Sequence, residues 1–214
     1  MWVRFSVLAM GSIFGVAFAQ APAGWMLRGS DPSGYAASVD RAVHRTGQSS
    51  ALYRAKNPAP NQFGTLMQSI KADDYRGKRV RLRGHVKTEN VERVQLWMRL
   101  DSSSMRMLGF DNMNARPIEG TTDWTAYDLV LDVPADAAGI AYGVLMAGLG
   151  QLWLDDVSLE MVDGSVATTG ISAEDLDQSN KALETRINEG SVPKPKPSYY
   201  ADKPRQPTNT GFEL

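Results

Sequence analysis

The chain has 214 residues, with 23 Lys and Arg against 24 Asp and Glu, and no cysteine. A balance this close to neutral leaves no electrostatic footprint for nucleic acid. The missing thiols exclude cysteine nucleophiles, disulfide frameworks and thiolate metal centres, and the globular part is long enough to bury a core without cross-links.

The first element is a leader. Arg4 precedes an apolar run from Phe5 to Phe18, and Ala17-Phe18-Ala19 matches a small-x-small cleavage pattern. This predicts a signal peptide over residues 1–19, with Gln20 opening the mature chain. Removing Arg4 leaves 22 basic against 24 acidic side chains. The run is short beside the roughly 20 residues of a membrane span, although an uncleaved anchor is the alternative. No cysteine follows it to carry a lipid, and no second apolar stretch approaches spanning length. The expectation is a periplasmic or secreted chain that does not span a membrane once cleaved.

Residues 20–162 read as one all-β domain, an antiparallel β-sandwich of the jelly-roll kind. Period-two alternation is the main signal. A strand near an edge is expected over Ser49–Arg54, and a further strand over Gly64–Ile70 leading to a turn at Arg76-Gly77-Lys78. Val80, Leu82 and Val86 alternate with Arg79, Arg81, Arg83, His85 and Lys87. Val94, Leu96, Met98 and Leu100 alternate with Gln95, Trp97, Arg99 and Asp101, and Tyr127, Leu129, Leu131 and Val133 follow. Ile140–Ala147 is apolar or small on both faces, as a covered central strand would be, and Trp153–Val162 closes the set. Turn residues separate these runs at Asp111-Asn112, Glu119-Gly120, Pro134-Ala135-Asp136 and Ala147-Gly148.

A hairpin turning near Thr88–Glu92 would pair the Val80 and Val94 strands with matched parity. It would set Arg83 against Trp97 and Arg81 against Arg99. The resulting outward face suits a flat ligand, with the indole stacking on a sugar ring and guanidinium groups reaching hydroxyls or carboxylates. The other reading of the same residues is an Arg–Trp cation–π pair, or a tryptophan covered by a loop or the tail. The loop Phe110–Pro117 adds Asp111, Asn112 and Arg116 at the rim, unless it merely hydrogen-bonds to itself. Trp124 and Trp153 read as core.

Residues 163–214 differ in composition and hold five of the eleven prolines. Ser172-Ala173-Glu174-Asp175 is a capping box that predicts a helix to about Asn188, with Gly190 as its stop. Val192–Pro207 reads as a proline-stiffened strap, and residues 209–214 as a further strand candidate.

Catalytic signatures are missing. There is no Gly-x-Ser-x-Gly, no phosphate-cradling loop and no His-Glu-x-x-His, and the two histidines, His44 and His85, lack ligands at metal spacing. Asp73-Asp74 and Asp155-Asp156 are adjacent pairs, whose side chains on a strand point to opposite faces. A non-enzyme is expected, with an unrecognised hydrolase as the remote alternative.

Several runs together resemble the galactose-binding-like jelly roll of carbohydrate-binding modules. They are His44-x-x-Gly47-x-Ser49-Ser50, the run Tyr75–Thr88 with its Gly77-Lys78, Leu96-Trp97-Met98-Arg99, Gly120–Trp124, and Trp153–Leu159. The likeness is to a bacterial exported subset, some of whose members carry the label of transcriptional regulator. It implies a binding module for carbohydrate or cell-envelope glycan, with Arg81, Arg83, Trp97, Arg99, Asp111, Asn112 and Arg116 as contacts. The alternative is an envelope protein-interaction module without a small ligand. Such sandwiches usually open on an Asn-x-x-Phe-Glu strand. Here that pattern occurs as Asn209-Thr210-Gly211-Phe212-Glu213, so the tail is expected to wrap back and insert Phe212, the rival being a disordered end. The resemblance also implies a structural calcium held by Asp155, Asp156 and Glu213 with backbone oxygens near Gly47, and no other cofactor.

Overall fold

The computed structural model describes residues 21–191, 196 and 198–214. The predicted signal peptide and part of the proline strap lie outside the described residues.

Nine strands and one helix follow in order: β1 Met26–Gly29, β2 Tyr35–Asp40, β3 Ser50–Ala55, β4 Phe63–Lys71, β5 Arg79–Ser102, β6 Met107–Asp111, β7 Ile118–Asp132, β8 Ala137–Ala147, β9 Gln151–Val162 and α1 Ala173–Asn188. Every strand pairing is antiparallel. The nine strands form one hydrogen-bonded sheet that closes over itself because β5 belongs to both layers. Its first half, Arg79–Glu89, runs between β9 and β7. Its second half, Arg93–Ser102, runs beside β8, with β6 on its other edge. The first layer is therefore β2-β3-β9-β5-β7, and the second is β1-β4-β8-β5-β6.

The expected hairpin does not exist. The Val80 and Val94 runs do not pair with each other but with β7, β8 and β9; their even-numbered residues enter one core, while between them Glu89, Asn90 and Glu92 are exposed and Val91 is buried. The corner is made instead by slips of register against β7 between Val86 and Val94, with Asn90 in the left-handed region at φ 51°. Bulges of this kind bend a strand and raise its twist without ending it. The halves then face each other across the core. A Cβ on Gly84 would meet Leu96 at 3.1 Å and Leu154 at 3.2 Å.

A second bulge sits in β9. Leu154 pairs with Val86 and Asp155 with His85, but Ser158 pairs with Arg83, so β9 carries one extra residue. Asp156 absorbs it at φ 48°. The inward parity changes there: Leu152 and Leu154 enter the core before the bulge, and Val157 after it. Trp153 is buried, as expected, but lies outside the common cluster, where its indole N–H donates to Asp40 at 2.8 Å. Trp124 is half-buried in mid-β7 and is not a core plug.

The tail packs along the sandwich. Thr169 donates its N–H to Val130 at 2.9 Å and Ile171 donates to Phe110 at 2.9 Å, which occupies the open edges of β7 and β6. Ser172 caps α1, accepting from Asp175 N–H at 3.1 Å. Asn180 of α1 is buried and exchanges two hydrogen bonds with the backbone of Met107, at 2.9 and 3.0 Å. Further on, Phe212 is fully buried beside Trp25, ring centroids 5.0 Å apart. Residues 209–214 reach this position in turns rather than as a strand.

Candidate functional site

The two outer faces of the sandwich differ in kind. On the first layer, the odd-numbered residues of β5 project into a ladder of ion pairs. Arg79 binds Asp132 and Arg83 binds Asp128 through two bonds each (2.7 and 2.8 Å; 2.7 and 2.6 Å), and Arg81 meets Glu160 at 2.7 Å. Hydrogen bonding to these guanidinium groups holds the carboxyls of Asp128 and Asp132 below the usual range. The face is internally neutralised. His85 lies in it with its Nδ1 buried and without a partner among the described residues. Burial, with Arg45 nearby, pushes its imidazole down, against the pull of Asp156.

On the second layer the same parity yields a trough. The outward positions of β8 are Gly139, Ala141 and Gly143, followed by Leu145 and Ala147. Small side chains leave a channel between β4 and β5. Two aromatics enter it. Trp97 is paired with Gly143, and its indole N–H reaches Thr65 on β4 at 2.8 Å, so the ring lies across β8. At the Gly139 end, Tyr200 from the tail packs where a glycine Cβ would stand. Its hydroxyl donates to fully buried Asp101 at 2.6 Å, and Arg99 grips the same carboxylate oxygen at 2.9 and 3.1 Å. Burial pushes the Asp101 carboxyl up while Arg99 and Tyr200 pull it down. Tyr199 adds a bond of 3.2 Å between its hydroxyl and that of Ser69. This half of the trough is filled by the protein itself.

The other half is open. A cavity of about 820 Å³ begins at Gln95, two residues from Trp97 on the same face, and is walled by the 58–63 loop, Arg93, Glu119, Leu145 and Leu149. Phe63 and Leu149 are among the few large apolar side chains left exposed, at 37% and 57%.

The residues expected to share one surface are therefore divided. Arg81 and Arg83 lie on the first layer, locked in ion pairs; Trp97 and Arg99 lie on the second. The division follows from β5 being one bent strand instead of two strands side by side. Arg99 is committed to Asp101, and the one cation–ring stack among the described residues is Lys203 over Tyr199, 4.9 Å from the centroid. Asp111 is buried and serves its own turn, accepting from Met113 N–H at 2.8 Å and from Arg116 at 2.6 Å; Asn112 is half-buried beside it. The cavity residues Phe63, Arg93, Gln95 and Glu119 were not marked by sequence. Gln95 and Arg93 shared parity with Trp97, and that was the available signal.

The three carboxylates implied for calcium already have partners. Asp155 is fully buried and accepts the backbone N–H of Arg45 at 2.8 Å, of Thr46 at 3.3 Å and of Asp156 at 2.8 Å. Asp156 is bound by the Arg45 guanidinium at 2.6 Å and by the Thr46 hydroxyl. Glu213 accepts Gln48 N–H at 2.8 Å. Calcium needs six to eight oxygen ligands, whereas these oxygens face N–H donors and a guanidinium. Among the described residues no group of three or more His, Asp or Glu could hold a metal ion. The residues present do not fit a bound calcium. What they build is a clasp that fixes the 41–49 loop to the β9 bulge.

Comparison with known proteins places this geometry. No family model matches the chain. It is 45% identical over 167 residues to an uncharacterized HTH-type transcriptional regulator, YbfP, of Bacillus subtilis (strain 168), an alignment covering 77% of this chain and 55% of that protein. The chain thus spans about half the length of this curated relative. Among solved structures it is similar to the enzymatically active domain of tailspike protein 4 from bacteriophage CBA120, with a TM-score of 0.52 at 16% identity over 65% of this chain and 20% of the other. It is also similar to the CBM22-1 xylan-binding domain from Paenibacillus barcinonensis Xyn10C, with a TM-score of 0.49 at 15% identity over 69% and 92%. The tailspike likeness is one of fold. Among the described residues, no helix is long and apolar enough to cross a membrane.

Proposed function

We propose that this chain is an exported, non-catalytic module that binds carbohydrate or cell-envelope glycan in the open half of the second-layer trough, next to Trp97. The observation that carries this reading is the cavity of about 820 Å³ lined by Phe63, Leu149, Gln95, Arg93 and Glu119. An apolar shelf with a few placed polar groups is the usual make-up of a small-molecule site. The rigid strands β4, β5 and β8 hold one wall, and the 58–63 loop holds the other. The leader with its Ala17-Phe18-Ala19 end supports export to the periplasm or beyond. The commitment of Asp155 and Asp156 to backbone and Arg45 supports a binding rather than a hydrolytic role. The region shared with YbfP, about half of that protein, is consistent with a module that serves different chains.

The test is a calorimetric screen of glycan and peptidoglycan fragments against the wild type, Trp97→Ala and Arg81→Ala. A glycan ligand whose affinity falls tenfold or more in Trp97→Ala and is unchanged in Arg81→Ala is the expected result. Equal effects of the two substitutions would move the site off this face, and a screen with no binder would remove the reading. The second reading is an envelope protein-interaction module without a small ligand. The exposed pair Phe63 and Leu149 favours it, since apolar side chains at one rim also suit a protein contact.

A further inference from the structure

The open half of the trough carries a selective chemistry of its own, an inference that rests on the glycan reading above. Gln95 lines the cavity floor and is only 4% exposed, and its amide nitrogen has no hydrogen-bond partner among the described residues. A buried donor without a partner works against folding, and a leucine of similar size would remove the penalty. The polar side chain lines the cavity instead, and turning its amide is what would bring the buried nitrogen to an oxygen atom there.

The charges around it are unequal. Glu92 and Glu119 both line the cavity, and Arg93 is the one cation that does so. The Arg93 guanidinium is already engaged, donating to the backbone carbonyl of Asn114 at 2.8 Å and to its side-chain oxygen at 3.1 Å, with Glu119 4.0 Å away. Asn114 occupies one nitrogen of that guanidinium, so an anionic ligand would meet two carboxylates against a single, partly engaged cation. Phe63 supplies a part-exposed ring at the rim, on which the C–H face of a sugar can lie.

We infer that the cavity at Gln95 is a subsite for a neutral, hydroxyl-bearing sugar, with Phe63 as the stacking shelf, Gln95 as the floor donor to a ligand oxygen, and Glu92 and Glu119 as the acceptors that turn away uronates. The site is thus chosen by charge as much as by shape. Leucine at position 95 would give up recognition in exchange for a firmer fold.

The test uses the full chain in titration calorimetry with neutral β-1,4-linked hexaoses of glucose, xylose, mannose and galactose, and with a hexamer of galacturonate, alongside thermal unfolding. At least one neutral hexaose should bind at least tenfold more tightly than the galacturonate hexamer. Gln95→Leu should weaken that binding tenfold or more while the unfolding midpoint holds or rises, and the double substitution Glu92→Gln, Glu119→Gln should narrow the gap to galacturonate. Tighter binding of galacturonate than of every neutral hexaose would overturn the inference and leave the glycan reading standing, as would a Gln95→Leu protein that binds like the wild type. No binding of any of the five would overturn the inference, and the glycan reading falls with it only if the fragment screen above also finds no binder.

Discussion

Removing the Phe212 ring should cost the sandwich a large part of its stability, although the residue lies close to the chain's last numbered position. The ring is completely buried against Trp25, and the backbone around it is tied in at three points. Trp25 donates its indole N–H to the Asn209 carbonyl at 3.1 Å, Ser49 donates its hydroxyl to the Phe212 carbonyl at 2.7 Å, and Val157 donates its N–H to the Thr210 carbonyl at 3.1 Å. Truncating a buried phenylalanine to alanine costs about 3–5 kcal/mol, or about 6–20 °C in midpoint for a domain of this size. Phe212 also holds φ at 59°, a left-handed conformation that costs a side-chain-bearing residue about 1–2 kcal/mol and glycine little. Phe212→Gly should therefore lie about 1 kcal/mol above Phe212→Ala, the reverse of the order found in an extended segment. Urea unfolding of the wild type, both variants and a deletion of residues 208–214 measures all three quantities. An unchanged midpoint on deletion would refute the packing of the tail, and Gly falling below Ala would refute the left-handed backbone.

Three further outcomes follow from single contacts. Tyr200→Phe takes one of two partners from the fully buried Asp101 carboxylate and should cost about 1–3 kcal/mol in chemical denaturation; a neutral effect would mean that Tyr200 does not occupy the trough. Asp155→Ala strands three backbone N–H groups of the 41–49 clasp and should cost about 2–3 kcal/mol. With the clasp built from N–H donors, calcium or a chelator should leave the wild-type midpoint where it is, and a calcium-dependent rise would contradict the donor set. His85 has its folded pKa lowered from 6.5 by burial, so the unfolded chain takes up the proton first. Its contribution is present above about pH 6.5 and is lost as the pH falls below that value. Urea midpoints at pH 7.5 and 5.5 should therefore differ less in His85→Gln than in the wild type; equal differences would place the pH dependence elsewhere.

Alternation was enough to read the sandwich. The even-numbered residues of the Val80 and Val94 runs enter one core, and β8, apolar on both faces, is the central strand of its layer, between β4 and β5. What alternation cannot report is where a strand bends. Glu89-Asn90 interrupts the pattern much as a hairpin turn would. Even parity on either side suits a hairpin of matched parity and a corner alike, so alternation does not separate a strand that continues into the other layer from one that comes back beside itself. That single ambiguity moved Arg81 and Arg83 away from Trp97. The β9 bulge likewise placed Trp153 outside the common cluster. One inserted residue at Asp156 exchanges inward for outward, and no local residue type announces it, because Asp155-Asp156 reads equally well as regular strand. The cavity was harder still, since it joins the 58–63 loop to Arg93 and Glu119 through tertiary packing.

The trough owes its shape to β8. Large outward residues there would have filled the space between β4 and β5, as the Arg–carboxylate ladder fills the corresponding face of the first layer. Gly139, Ala141 and Gly143 leave it empty, and the chain then fills it unevenly. Tyr200 seals one end, where it and Arg99 both bind one oxygen of the buried Asp101 carboxylate. Trp97 spans the middle and is pinned to Thr65. Beyond it the face passes to Leu145 and Ala147, which line the open cavity. A cavity lined by Gln95, Arg93, Glu92 and Glu119 as well as by Phe63 and Leu149 differs from a packing defect, which apolar side chains alone would line and leave dry. Both aromatic occupants are set by hydrogen bonds at their far ends. On the proposed reading, a ligand entering the open end would bind without first displacing the tail.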